Sequence, residues 1–274
     1  MAQFRRLTRS VYRALPTVIL RVSHPLIGAR GPVDSAFIDR CSDSYEHAVY
    51  ALGEAHWREK VETFGYTQCG AVLDAGCGPG QWLRCLAKTN AVVVGIDIDA
   101  KLLGVAQRHT RSEENVVLVQ GTIERLCFQE RTFDAVLCYG VLTYVDYDAA
   151  LNEMWRVLKP HGRIILGLPG YGYYLRHVIE GVKCNRVDAV RYGIEPIATR
   201  IGQAVLGRFS RSVRIWSGAA ICRLLSRHGF AVTRLWADRL DPRWPASYLG
   251  AYFYYCVEAR KRPSPVMQPE AKSG

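Results

Sequence analysis

The sequence predicts an α/β chain: an open, mostly parallel sheet with helices on both faces. Three observations predict it. The apolar run Ala71–Leu73 ends in Asp74 and a turn with glycine at 76, 78 and 80, followed by the helix-like segment 82–88. A second apolar run, 91–96, is long enough for a strand buried on both faces and ends in Asp97. Strand-like and helix-like segments then alternate with short connections, the rhythm of a parallel sheet.

In order, the pattern predicts strands over 71–75, 92–97, 116–119 and 132–139, and helices over 81–90, 100–110 and 147–157. Asp99 suits the N-cap of the second of these helices, because its carboxylate can accept from the first free backbone amides. A fifth strand, Ile164–Leu168, follows the turn Lys159-Pro160-His161-Gly162, where His161 reads as a turn residue. Residues 217–230 read as a helix stopped by Gly229. Strands at 231–236 and Tyr248–Arg260 complete the sheet, with a loop at 240–245 able to reach its active edge. Upstream, 37–64 is helical and mixed in charge, with Tyr45, Val49, Leu52 and Trp57 as its inward residues.

Strand, glycine turn, helix is the layout that aims helix N–H groups at a nucleotide-like ligand. Asp97 lies 17 residues beyond Gly80, close to the ~20 at which an acidic side chain accepts from ribose hydroxyls. Asp74 decides the kind of ligand. A carboxylate on that strand end repels a pyrophosphate but suits a ligand with a cationic group.

On these residues, Asp74-x-Gly76-x-Gly78-x-Gly80 followed by Gly95-Ile96-Asp97, the chain resembles the class I S-adenosylmethionine-dependent methyltransferases of the small-molecule type, over roughly 45–260. The resemblance implies a Rossmann-like, doubly wound, mostly parallel seven-stranded sheet. It also implies S-adenosylmethionine as cofactor, with Asp74, Ala75, Gly76, Cys77, Gly78, Gly80 and Gln81 at its methionine end, Asp97 on the ribose and Ile98 on one face of adenine. Cys138 and Tyr139 would line the end of the fourth strand. In the family a carboxylate often follows the glycine at 121. Thr122 stands there instead, leaving its hydroxyl and the Ile123 amide for adenine. A helix like 37–64 covers the cofactor in the family, which makes Tyr45 or Tyr50 a cover and core packing the alternative for each.

The departure from a minimal fold is 170–216, where Tyr171, Tyr173, Tyr174, His177, Arg191 and Tyr192 make an aromatic and basic segment. Its apolar spacing predicts two or three short amphipathic helices roofing the substrate side, or a hairpin closing its own small core, or both. Tyr171, Tyr173, Tyr174 and His177, with Tyr144 from the segment after the fourth strand, are the candidate acceptor contacts. A hydroxyl acceptor also needs a general base within hydrogen-bond reach, for which Tyr139, Tyr144 and His177 are the candidates.

The chain is therefore read as a basic arm 1–33, a methyltransferase domain 34–262 carrying the insertion 170–216, and a disordered Pro/Ser-containing tail 263–274. Charge follows the same division. Residues 1–33 carry +6 and 170–216 carry +5, which together equal the net +11 of all 274 residues. The arm, with Phe4, Leu7, Val11, Leu15 and Ile19 among its arginines, fits an interfacial membrane helix, a transit peptide or a loose arm. The nine cysteines show neither zinc-ligand spacing nor a disulfide framework, which fits buried thiols in the cytoplasm. No apolar run approaches the ~20 residues of a membrane span.

The expected activity is methyl transfer to a small-molecule or lipid-linked acceptor, at O, N or C, with an anionic membrane surface as a further partner. Two alternatives differ in class. One is a non-catalytic cofactor-binding scaffold, opposed by the intact glycine turn. The other is a nucleic-acid methyltransferase, suggested by the basic excess. It is not expected, because Cys138-Tyr139-Gly140-Val141 stands where such enzymes carry Asn/Asp-Pro-Pro-aromatic.

Overall fold

The computed structural model describes residues 50–206, 215–239 and 247–262. The arm 1–33, Tyr45, Val49, the loop 240–245 and the tail 263–274 lie outside the described residues.

Helix α1 (Gly53–Thr63) precedes β1 (Ala71–Ala75), α2 (Leu83–Ala87), β2 (Val92–Asp97), α3 (Ala100–His109), β3 (Val116–Gln120) and β4 (Phe133–Tyr139). After a 3₁₀ turn at Leu142–Tyr144 come α4 (Tyr147–Val157), β5 (Leu158–Pro169), α5 (Tyr171–Lys183) and α6 (Val187–Leu206). Then follow α7 (Gly218–Arg227), β6 (Phe230–Asp238), β7 (Ser247–Tyr248), β8 (Ala251–Tyr252) and β9 (Tyr254–Lys261). The seven-stranded sheet runs β3-β2-β1-β4-β5-β9-β6, with β9 antiparallel to both neighbours and the remaining pairs parallel. This is the expected mostly parallel, doubly wound sheet.

β1 is buried throughout and β2 nearly so, as apolar runs covered by helices on both faces must be. One face packs on Leu151, Met154, Leu224 and Phe230. The other packs on Trp57, Val61, Phe64, Trp82 and Leu86, so Trp57 is the inward residue of α1 that its sequence indicates. Side-chain caps set the helix starts. Asp99 Oδ1 accepts from the amides of Lys101 (2.8 Å) and Leu102 (3.4 Å), Asp146 caps α4, and Ser217 caps α7. The Asp134 carboxylate locks β4 against β1, accepting from the Ala71 amide (2.9 Å) and the Lys159 ammonium (2.7 Å). His161, with φ +61°, is a turn residue as expected.

Three expectations are corrected. The helix expected at 81–90 spans only Leu83–Ala87, because the Asn90 amide draws the chain away, donating to the carbonyls of Leu86 (2.9 Å) and Tyr66 (2.7 Å). The last strand is not continuous from Tyr248: Leu249 and Gly250, both at positive φ, turn β7 back onto β8 before β9 begins. The insertion's helices are longer than expected, in the hairpin arrangement that was one of the alternatives. The first has 13 residues and the second 20, with Pro196 inside the second. The two lie close enough that Gly193 packs on the Tyr174 carbonyl and Gly181 on Val190.

Candidate functional site

The carboxyl ends of β1, β2 and β4 place the glycine turn, Asp97 and Tyr139 along one edge of the sheet. Gly76 takes φ +82°, and a Cβ there would run into the Val141 side chain from the segment after β4. Only glycine meets both conditions cheaply. The turn is pinned to β2 by amides: Gly76 and Cys77 donate to the Ile96 carbonyl (2.8 and 3.0 Å), and Gly78 donates to Asp97 Oδ2 (2.8 Å). Asp97 Oδ1 accepts from the Asp99 amide (2.9 Å). One carboxylate thus fixes the loop while retaining lone pairs for a diol.

Asp74 has a different situation. It is 1% exposed, and its Oδ2 has no hydrogen-bond partner among the described residues. Burial, then repulsion from Asp97, raises its carboxyl well above the usual carboxylate range. Burial also raises Asp97, against the pull of its backbone hydrogen bonds. Two carboxyls held unfavourably as anions, one with an orphaned oxygen, fit a ligand that brings positive charge. S-adenosylmethionine brings both a sulfonium and an ammonium, so these residues fit the cofactor.

The surrounding residues divide. Ile98 is 49% exposed at the mouth, an apolar face left open for a base. Ala75 and Cys77 are buried in the turn, and Gln81 is buried just beyond it. Cys138 is fully buried with its side chain in the core, so only its backbone faces the edge. The Ile123 side chain is core as well. The Thr122 hydroxyl is held locally, accepting from the Glu124 amide (3.2 Å) and donating to Glu124 Oε2 (3.3 Å), which uses up its donor. Of the two tyrosines weighed as covers, Tyr50 lies over the turn: its hydroxyl donates to the Pro79 carbonyl (2.6 Å) and its ring stacks on His109 at 3.7 Å.

Beside this cradle the structure assembles an aromatic arc. From β4, Tyr139 stacks on Tyr254 of β9 (5.4 Å, 9° between planes), and Tyr254 meets the edge of Tyr173 on α5 (5.5 Å). Tyr173 meets His177 (4.7 Å), and His177 meets Tyr192 of α6 (5.0 Å). The Tyr192 and Tyr144 hydroxyls hydrogen-bond at 3.0 Å, which returns the arc to the segment after β4. Tyr139, Tyr144, Tyr173 and His177, separated in sequence, are thus brought together. Tyr174 stands behind them, fully buried among the roof's own packing. Tyr171 is not in the arc. It lies by Tyr255, which packs into the opposite face of the sheet from Tyr254.

A buried ion pair anchors the arc. Lys60 of α1 donates to both oxygens of Asp238 at the end of β6 (2.6 and 2.8 Å), and the Tyr139 hydroxyl donates to Asp238 Oδ2. Tyr139 is therefore held as a donor, and burial followed by the Asp238 charge pushes its phenol well upward. It is a wall and not a base. His177 is pushed the other way, downward, by burial and then by Arg176 and Arg186, which favours the neutral imidazole. Lys60, Asp238 and Tyr254 were not anticipated. Tyr254 had a signal in the aromatic run 252–255, whereas a Lys–Asp pair 178 residues apart had none.

Residues 73–166 match the family described as Methyltransferase domain. Demethylmenaquinone methyltransferases of Staphylococcus aureus are 39% identical over 114 residues, 40% of this chain and 47% of theirs. The chain thus spans about half the length of these curated relatives. Among solved structures, a SAM-dependent methyltransferase of Thermotoga maritima covers 83% of this chain and 99% of its own at 18% identity and TM-score 0.56. One from Methanosarcina mazei covers 74% and 97% at 20% identity and TM-score 0.55. At such identities the likeness speaks for the fold. The glycine turn, the two carboxyls and the family match agree: residues 73–166 match a methyltransferase domain, and the described residues share the fold of S-adenosylmethionine-dependent methyltransferases.

Proposed function

We propose that this protein transfers a methyl group from S-adenosylmethionine to a flat, apolar small molecule lying against the aromatic arc. The observation that carries the reading is the continuity of the arc with the cofactor cradle, through Tyr139 and Tyr144 at either end of the segment leaving β4. When bound, the cofactor supplies an activated methyl. The chain's task is then to hold the acceptor in line and keep water away. Asp74 balances the cofactor's cationic end, Asp97 holds the ribose, Ile98 borders the adenine, and the tyrosine rings offer faces for stacking.

A polyprenylated naphthoquinol is one acceptor of this kind, and the name of the Staphylococcus aureus relatives supports including it. Their matched stretch is less than half of this chain, so the acceptor is argued from the arc. The same proposal includes reversible association with anionic membranes. Val182 and Val187 are 66% and 77% exposed at the α5–α6 turn, beside the exposed Lys183 and Arg186, the mixture that favours an interfacial position. None of the described helices is long and apolar enough to cross a membrane.

The test is cofactor consumption across a panel of quinols, phenols, amines and thiols, followed by the mass of the product. Methylation confined to apolar aromatic acceptors supports the reading, and methylation only of polar, non-aromatic ones removes it. Sedimentation with anionic vesicles at low and high salt tests the membrane part.

A further inference from the structure

We propose that His177 is the general base of the reaction and that the acceptor atom carries a hydroxyl proton that must be removed. The inference rests on the methyl-transfer reading above and deepens it by naming the acceptor's functional group. The arc contains five tyrosines and one imidazole. A tyrosine loses its proton only at high pH, and burial raises Tyr139, Tyr174 and Tyr192 further. These phenols donate; they do not accept protons at neutral pH. His177 is the member of the arc built to accept one.

Its surroundings support that role from every side. Neither ring nitrogen of His177 forms a hydrogen bond with a described residue, and the ring is in steep, T-shaped contact with Tyr173 on its own helix and with Tyr192 on α6. The charged groups acting on it are Arg176 of α5 and Arg186 of the α5–α6 turn. Both oppose protonation, and among the described residues no carboxylate acts on it as a charge partner. Tyr144 and Tyr192 already share one hydrogen bond (3.0 Å), and the buried Tyr174 hydroxyl beside them has no partner among the described residues. A hydroxyl acceptor seated here has phenolic donors for the oxygen that becomes negative and an imidazole for its proton. In the balanced step the acceptor O–H proton passes to a His177 nitrogen. The acceptor's electron pair, on oxygen or on the conjugated ring carbon, takes the methyl. The C–S bond breaks and its pair stays on sulfur, leaving S-adenosylhomocysteine, and the imidazolium releases its proton to solvent.

The experiment compares wild type with His177→Gln and Tyr192→Phe, using a short-chain prenylated naphthoquinol and phenols of graded acidity as acceptors. Calorimetry with S-adenosylhomocysteine monitors the cofactor site independently of turnover. His177→Gln should keep cofactor affinity within about twofold and lower kcat on weakly acidic acceptors by ~100-fold or more, with little change in KM. The wild-type rate should fall at a pH below the ordinary imidazole range, where His177, its pKa lowered by burial and by Arg176 and Arg186, gains its proton, and the variant should lack that limb. Acceptors already ionised at the assay pH should lose far less. Tyr192→Phe should lower the rate but keep the limb. Turnover by His177→Gln within about threefold of wild type on weakly acidic acceptors, or an unchanged acidic limb, overturns the proposal. Wild type that binds S-adenosylhomocysteine but methylates only amines or thiols also overturns it, while leaving the methyltransferase reading intact. Failure to bind the cofactor at all would instead remove that reading.

Discussion

Replacing Asp238 with alanine tests how the arc is held. The Lys60 and Asp238 side chains are each only 9% exposed and are joined at 2.6 Å, with the Tyr139 hydroxyl on the same carboxylate. At that burial solvent screening is slight, so the small values typical of surface pairs do not apply. Removing the carboxylate strands a buried ammonium and an unpaired phenol together, and breaking such a pair costs about 3–5 kcal/mol. Against a total stability of ~5–15 kcal/mol the loss is large. Urea unfolding followed by tryptophan fluorescence measures it, because Trp57 and Trp82 pack beside the pair's own cluster. The double variant Lys60→Met/Asp238→Leu removes both charges and should recover most of the loss, since apolar groups of similar volume replace such pairs at little cost. An Asp238→Ala protein less than about 1 kcal/mol weaker than wild type would refute the reasoning. It would mean that water or a local shift already compensates the ammonium.

Three further outcomes are expected. Asp97→Ala should weaken cofactor binding by at least ~1.5 kcal/mol in calorimetry, because hydrogen bonds to a charged acceptor contribute about 1.5–3 kcal/mol, and the Gly78 amide also loses its partner. Gly76→Val should abolish cofactor binding while far-UV dichroism stays near native, since the side chain meets Val141 at a positive φ; retained affinity would separate the turn from the site. Asp74, whose folded pKa lies above the unfolded 3.8, should destabilise the free protein above that raised pKa and cease to do so below 3.8. A cation that ionises it releases a proton, so cofactor affinity should rise with pH through the raised value. Calorimetry in buffers of different ionisation enthalpy counts that proton, and Asp74→Asn should remove it.

What the sequence disclosed, and what it withheld, follows the range of the interactions involved. β1, β2 and the cap Asp99 were legible because buried parallel strands and helix starts are written in neighbouring residues. The glycine turn was legible because its torsions restrict the residue type at Gly76. The shortened α2 was not, because Asn90 ends it by reaching back to Tyr66, a contact no local window contains. The Leu249-Gly250 turn was missed because a long apolar-aromatic stretch resembles one strand unless positive φ is recognised at its start. Thr122 was misjudged for the reverse reason: its hydroxyl was free on paper and is used two residues away, at Glu124. The arc was half legible. Tyr173 and His177 share a face of α5 at i and i+4, whereas Tyr254 joins them only through the sheet order that inserts β9 beside β5.

That insertion also joins the roof to the cofactor cover. β9 carries Tyr254 to the sheet edge between β5 and β6, so one ring touches Tyr139 on one side and Tyr173 of the roof on the other. Tyr139 is fixed through Asp238 to Lys60, which belongs to the helix whose preceding residues place Tyr50 over the glycine turn. A displacement of α1 that opens the cofactor mouth therefore pulls on the carboxylate that orients Tyr139, the first ring of the acceptor wall. The ion pair is more than a contribution to stability. It joins two surfaces that otherwise belong to separate layers of the fold, and it does so with groups whose separation is expensive.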